Sequence, residues 1–241
     1  MEWISIRTRP MRPPKDSLWN LLDEHIRKIQ DGDIVLITSK ILGIHQGRCV
    51  PISPDADKET LVRQEADEMI NDRQPIHPPF QITIKHNTLI ASAGIDESNA
   101  LGHYVLWPKN VNLLLREIHQ YICKKRKTKK LGVIATDSHI IPLRRGVVGV
   151  SIGFYGIEPL KDYRGKKDIF GRKLLYKQTN IVDSIASFGV LLMGEGSEQT
   201  PIVILRHAHF VRFVKRGTYR KLIIPRTHDL YYPLLKGFKK T

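Results

Sequence analysis

Short apolar runs separated by turn residues organise this chain, and they change character along its length. Trp3, Ile4 and Ile6 give residues 2–7 a strand-like alternation. Leu18, Leu21, Leu22, His25, Ile26 and Ile29 then recur at helical spacing, with Asp16 or Ser17 as the cap. The turn Asp31-Gly32-Asp33 leads into the buried-strand run of residues 34–38. Residues 54–71 read as a polar, capped helix, and residues 81–91 as a hairpin turning at His86-Asn87. Pro108 suits the first position of a helix reaching about Lys125. Residues 131–135 form another apolar strand running into a polar loop at Thr136-Asp137-Ser138. Residues 147–153 are a further strand, Asn180 caps a helix to Leu192, and residues 202–205 give a late strand. Strands and helices mix without a regular βαβ repeat, so the expected class is α+β, mixed sheets with flanking helices.

The 241 residues suffice for one or two domains with a sizeable core, and 41% hydrophobic with 26% charged residues excludes a largely disordered chain. No apolar stretch approaches the roughly 18 residues of a membrane span, and residues 1–14 lack the apolar core of a signal peptide. Cys49 and Cys123 form no CxxC, which fits reduced thiols and a cytoplasmic protein. The formal charge of +15 first suggests a nucleic-acid partner, but it is unevenly spread. Residues 124–130 carry six cations and residues 210–241 carry nine against one acid, leaving a nearly neutral body. The run at 124–130 is either a polyanion patch or the cationic close of a helix. In the tail, Tyr219, Tyr231, Tyr232 and Phe238 could stack bases. Ile223, Ile224, Leu230, Leu234 and Leu235 favour packing of the tail onto the body instead.

Candidate chemistry lies in acids that follow apolar strands. Residues 93–99 (AGIDESN) and 136–138 (TDS) each present an aspartate among small polar residues, and residues 193–200 (MGEGSEQT) offer backbone N–H groups beside acids. Oxygen ligands of this kind suit Mg²⁺ or Mn²⁺ bridging phosphates. Each alone could be a capped turn; all three together point to a metal–nucleotide site. Arg164 in DYRG could clamp a carboxylate or phosphate, or pair with Asp162 or Asp168. His207 and His209 would share one face of an extended strand, as a metal pair or as a surface pair. No P-loop, GxGxxG, HExxH or GxSxG is present.

The stretches ITSKI (37–41), AGIDESN (93–99), TDS (136–138), VSIGFYGIEPLKDYRGKKDIFGRKL (150–174) and MGEGSEQTP (193–201) occur in one order. In that order they resemble the coenzyme F-420:L-glutamate γ-ligases, which add glutamate to a deazaflavin. Residues 1–206 would form the ligase-like domain and residues 207–241 a basic extension outside it. The resemblance implies an intertwined α+β homodimer using ATP or GTP and Mg²⁺ or Mn²⁺. Carried over, Asp96 and Asp137 would be the catalytic metal ligands, joined by Ser138 and Glu195. Pro10, Met11, Arg12, Pro13, Ser39, Lys40, Asn99, Met193, Gly194, Gly196 and Ser197 would contact the nucleotide, and Tyr163, Arg164 and Arg144 the acceptor. The family's phosphate-binding lysine falls at Ile44, so that cation is absent or supplied by Lys40. Residues 139–144 also depart from the family's run, which bears on the acceptor: the deazaflavin, or a folate as in the related alternative folylpolyglutamate synthases. A basic nucleic-acid-binding protein and a family member that binds nucleotide without ligating are the competing readings.

Overall fold

Ile34, Val35, Leu36 and Ile37 offer no polar face, so their strand must be covered on both sides. The computed structural model describes residues 1–54, 56–70 and 80–241, and in it all four side chains are fully buried. Thirteen strands and six α-helices are assigned among those residues. In chain order they are β1 (Glu2–Ile6), α1 (Leu18–His25), β2 (Asp33–Thr38), α2 (Ser39–His45), β3 (Cys49–Pro51), α3 (Lys58–Glu65), β4 (Glu68–Ile70), β5 (Ile82–Lys85), β6 (Thr88–Ala91) and β7 (His103–Val105). Then follow α4 (Val111–Arg126), β8 (Leu131–Ile140), β9 (Val147–Tyr155), β10 (Leu160–Asp162), β11 (Gln178–Asn180), α5 (Ile181–Met193), β12 (Ile202–Arg206), α6 (Tyr232–Leu235) and β13 (Phe238–Lys240).

The main sheet has the order β1-β12-β2-β8-β9, parallel only between β2 and β8. Strand alternation sends Val35 and Ile37 to one face, where they pack with residues of α1, α2 and α4. Ile34 and Leu36 go to the other, against Ile181, Val182, Ile185 and Val190 of α5. Four more strands form a smaller sheet, β13-β4-β5-β6. The class is α+β, as the sequence pattern implies.

Most elements fall where the pattern puts them, and the differences have local causes. Ser17 is the α1 cap, but the helix stops at His25 and not Ile29, because Ile26 turns out of helical conformation and its carbonyl accepts from Arg126. Pro108 does not open α4: Lys109 exchanges two hydrogen bonds with the Gln46 side chain (2.7 and 3.0 Å), and the helix begins at Val111. The 54–71 helix shortens to α3, capped by Asp57, and Glu68–Ile70 become β4; Asn71 lies outside the described residues. Thr136-Asp137-Ser138 is no loop: β8 continues through it to Ile140, paired with β9 across a bulge at Ala135/Thr136. His207 and His209 follow β12 rather than share a strand face, and their rings stack at 6.5 Å.

The basic segments are built into the frame. Residues 124–130 close α4: Lys125 pairs with Asp23, Arg126 donates to the Ile26 carbonyl, and Thr128 donates to Asp31. The C-terminal residues do fold onto the body, through Phe238, Tyr219 and Leu222, while Tyr231 stays exposed. Phe238 is buried in β13, which pairs with β4, and the Tyr219 hydroxyl donates to the His86 carbonyl (2.9 Å). Leu230, Leu234 and Ile224 remain exposed. No helix among the described residues is long and apolar enough to cross a membrane.

Candidate active site

The bulge in β8 sits just before the acid that the sequence singles out. Thr136 is fully buried, and the next residue, Asp137, is half-buried at the wall of a cavity of about 720 Å³. One carboxylate oxygen of Asp137 accepts from the Trp107 indole N–H and the other from the Ser138 backbone N–H (2.9 Å). Burial pushes the Asp137 carboxyl up to about 7, and the charge of Asp96 adds to this against the downward pull of the Trp107, Ser138 and Ser39 donors.

Asp96 reaches the same cavity from the turn after β6. Its backbone pairs with Val105 (3.0 and 2.7 Å), which anchors the turn to β7. One oxygen accepts from the Ser98 N–H and hydroxyl (both 2.8 Å), and the other pairs with Lys40 Nζ (2.8 Å). Burial raises the Asp96 carboxyl, but Lys40 and Ser98 outweigh it and hold the group below the usual carboxylate range. Lys40 stands at the start of α2, where Ser98 also fixes it through its carbonyl (2.7 Å). Glu195 is raised, chiefly by burial and then by the charge of Asp96. The charge of Asp96 thus bears on both Asp137 and Glu195, and Lys40 is the cation paired with it.

The cavity is closed by two further segments. The N-terminal loop, residues 8–13, is held by Arg9, which pairs with Asp16 (2.7 Å) and Glu24 (3.0 Å), and by Thr8, whose N–H donates to the Gln199 carbonyl (2.9 Å). The 193–200 turn follows α5, and its Gly196 N–H donates to the Glu198 carboxylate (2.9 Å), the contact an external phosphate oxygen would make. Asn99 ties this turn to the Asp96 turn by donating to the Gly196 carbonyl (2.8 Å).

Pro10, Met11, Arg12, Pro13, Lys40, Asp96, Asn99, Asp137, Ser138, Met193, Gly194, Glu195, Gly196 and Ser197 all line this one cavity. Ser39 is buried behind Asp137 rather than on the wall, and Ile44, in the family's lysine position, is a buried residue of α2 that reaches the lining. Tyr163, Arg164 and Arg144 lie elsewhere. Arg164 pairs with Asp162 (2.6 Å) beside a second cavity, Tyr163 sits under Lys161 and Lys166, and Arg144 is exposed in the β8–β9 turn. Neither Trp107 nor Thr8 is marked by pattern. An isolated tryptophan beside a proline carries no signal of its own, whereas Ser98 and Glu198 lie inside the motif stretches.

Among the described residues no three His, Cys, Asp or Glu side chains converge closely enough to enclose a metal ion alone. The donors present are all oxygens, and Mg²⁺-type ions commonly take one or two protein carboxylates and complete their shell with water and phosphate oxygens. The residues therefore fit such an ion when a phosphate-bearing ligand accompanies it.

An α+β frame that brings carboxylates, Lys40, Arg12 and a glycine-rich turn to one cavity fits the class of sites that handle anionic groups by charge and backbone N–H donors. Comparison with known proteins narrows the class. The profile described as F420-0:Gamma-glutamyl ligase matches residues 5–207. The chain is 34% identical over 220 residues to the coenzyme F420:L-glutamate ligase of Methanocaldococcus jannaschii, covering 84% of this chain and 86% of that protein. It is 33% identical over 219 residues to the enzyme of that name from Methanosarcina mazei, covering 85% of each. With the Archaeoglobus fulgidus enzyme it shares 30% over 223 residues, covering 86% and 87%. The chain belongs to the F420-0:γ-glutamyl ligase family, and so to the amide-forming ligases.

Proposed function

We propose that the protein is a nucleotide- and divalent-metal-dependent γ-glutamyl ligase that joins L-glutamate to the carboxylate of the deazaflavin coenzyme F420. The observation that carries this reading is the convergence on one cavity of AGIDESN, TDS, MGEGSEQT and Lys40, stretches far apart in sequence. The names of the relatives support the deazaflavin as acceptor. A folate is the alternative acceptor, and either would be glutamylated by the same chemistry. The cytoplasm is the compartment proposed for this reaction.

The acceptor carboxylate attacks the γ-phosphorus of ATP or GTP, releasing the diphosphate and forming an acyl phosphate. The glutamate amine then attacks the acyl carbon, loses a proton and expels phosphate, leaving an amide. A bound Mg²⁺ or Mn²⁺ would neutralise charge on the phosphoryl group. One or two of the Asp96, Asp137 and Glu195 carboxylates, with the Ser138 hydroxyl, would hold that ion. Lys40, which pairs with Asp96 at 2.8 Å, would contribute its charge to the phosphates. The N–H of Gly196 and its neighbours would take phosphate oxygens in place of Glu198. Arg12 and residues 10–13 would cover the nucleotide, and positioning of this kind supplies much of the acceleration in phosphoryl transfer.

Tyr163, Arg164 and Arg144 are proposed as acceptor contacts in a homodimer. Leu143, Ile169, Phe170 and Tyr176, on the β8–β9 turn and the β10–β11 arm, are almost wholly exposed, which supports pairing with a second copy.

Asp137→Asn tests the site. The exchange keeps the shape and an acceptor for Trp107 but removes one ligand charge, worth about 4 kcal/mol of transition-state stabilisation, or roughly a 10³-fold loss of turnover. The fold should stay intact, because the lost repulsion with Asp96 offsets the amide NH2 that then faces the Ser138 N–H. Full activity would remove Asp137 from the mechanism.

A further inference from the structure

Behind the cavity lies a buried polar assembly that the proposed chemistry leaves without a task. Lys85 is only 4% exposed at its side chain and pairs with Glu65 at 2.5 Å, and Arg48 pairs with the same carboxylate at 2.5 Å. Buried charges of this kind are costly unless fully paired, so they need a structural reason. Both cations bear on one residue, Trp107. Arg48 Nε donates to the Trp107 carbonyl (3.1 Å), and Lys85 Nζ stands 5.9 Å from the indole ring. His86 flanks the indole at 6.1 Å.

Trp107 is 1% exposed, and its indole stands against the backbone of Gly94, where a Cβ would overlap ring atoms Nε1, Cε2 and Cδ1. Gly94 is two residues before Asp96. The same indole donates its N–H to Asp137. One rigid side chain therefore touches the turn carrying one acid and the side chain of the other. An indole N–H is a donor only, so this bond fixes Asp137 as an acceptor. With the other oxygen held by the Ser138 N–H (2.9 Å), rotation of the carboxylate is blocked. With Ser39 as a third donor, one of the four lone-pair sites is left for a ligand.

We propose that Trp107 is a positioning residue: clamped by Arg48 and Lys85, it orients the Asp137 carboxylate and sets its spacing from the Asp96 turn, so that the two acids take a divalent cation together. This rests on the metal reading above. Partners that orient a metal's ligands typically carry 10- to 100-fold in affinity when removed.

The test uses Mn²⁺ with a non-hydrolysable nucleotide. In Trp107→Phe, which keeps an aromatic ring but no N–H, calorimetry is expected to show Mn²⁺ affinity reduced about 10- to 100-fold. In turnover, kcat should fall while KM for glutamate holds. A second protein, Trp3→Phe with Trp19→Phe, leaves Trp107 as the one remaining tryptophan of three. Its emission should change saturably with Mn²⁺, a readout that does not depend on the Trp107→Phe protein folding. Wild-type Mn²⁺ affinity in Trp107→Phe, or emission of the Trp107-only protein indifferent to bound Mn²⁺, would overturn the proposal while leaving the metal reading intact. Failure of the wild type to bind Mn²⁺ at all would overturn both.

Discussion

Gly94→Ala is expected to destabilise the protein by more than backbone strain alone. Gly94 has φ +70°, in the left-handed region, where an L-residue costs roughly 1–2 kcal/mol. The added methyl also meets the Trp107 indole, including Cδ1 at 2.8 Å. That ring cannot swing aside cheaply, because its N–H, its carbonyl and its face are each engaged. Overpacking of a closed site adds about 1–3 kcal/mol, so the total is about 2–5 kcal/mol. For a chain of this size that corresponds to a Tm lower by about 4–20 °C. Gly102 supplies the control. It has φ +73° with nothing within 4 Å of a built Cβ, so Gly102→Ala should carry the backbone strain alone, about 1–2 kcal/mol. Urea unfolding of the two variants, followed by circular dichroism with unchanged m-values, measures the difference. Equal midpoints for Gly94→Ala and Gly102→Ala would refute the contact between the Asp96 turn and Trp107.

Two further outcomes probe the frame. Arg206 and the fully buried Asp33 form a two-point ion pair at 2.9 Å that ties β12 to β2, and Asp33→Asn leaves the guanidinium without its partner. A loss of about 3–5 kcal/mol is expected in urea unfolding; less than 1 kcal/mol would show that Glu2, 3.8 Å away, suffices. Asp31 is held down to about 2 by the Thr128 hydroxyl and the N–H groups of Lys129 and Lys130. Its folded pKa lies below the roughly 4 of a free aspartate, so its contribution is full above that pH and drains away as pH falls toward 2. The difference in stability between wild type and Asp31→Asn should therefore be greatest at pH 6, shrink from pH 4 downward and level off only below pH 2; a difference that stays constant from pH 6 to pH 2 would contradict this assignment.

The frame was readable wherever one strand or helix carries its own signal. The all-apolar run of β2, the Asn180 cap of α5 and the His86-Asn87 turn, with φ of 49° and 58°, need only local chemistry. What escaped depends on partners distant in sequence. Glu68–Ile70 becomes a strand because β5 and the C-terminal β13 flank it, and nothing in those three residues announces this. Thr136-Asp137-Ser138 reads as a loop because it is polar, yet β9 supplies its ladder partners. The site divides in the same way. Asp96, Asp137, Gly194, Glu195 and Gly196, all inside the motif stretches, share a cavity. Trp107 carries no pattern signal, because what sets it apart is the direction of one N–H, which composition cannot convey. Charge misled most simply: cations at 124–130 and in the tail are spent partly on Asp23, Glu68 and Glu158.

The central claim is ligation itself. Purified protein is incubated with Mn²⁺ or Mg²⁺, GTP or ATP, L-glutamate and either the deazaflavin or a folate, and the acceptor is weighed by mass spectrometry. A glutamyl increment on the deazaflavin, dependent on nucleotide and metal and lost in Asp137→Asn, is the expected result. No increment on either acceptor, from protein that still binds the nucleotide, would contradict it and leave a binding protein built on a ligase frame.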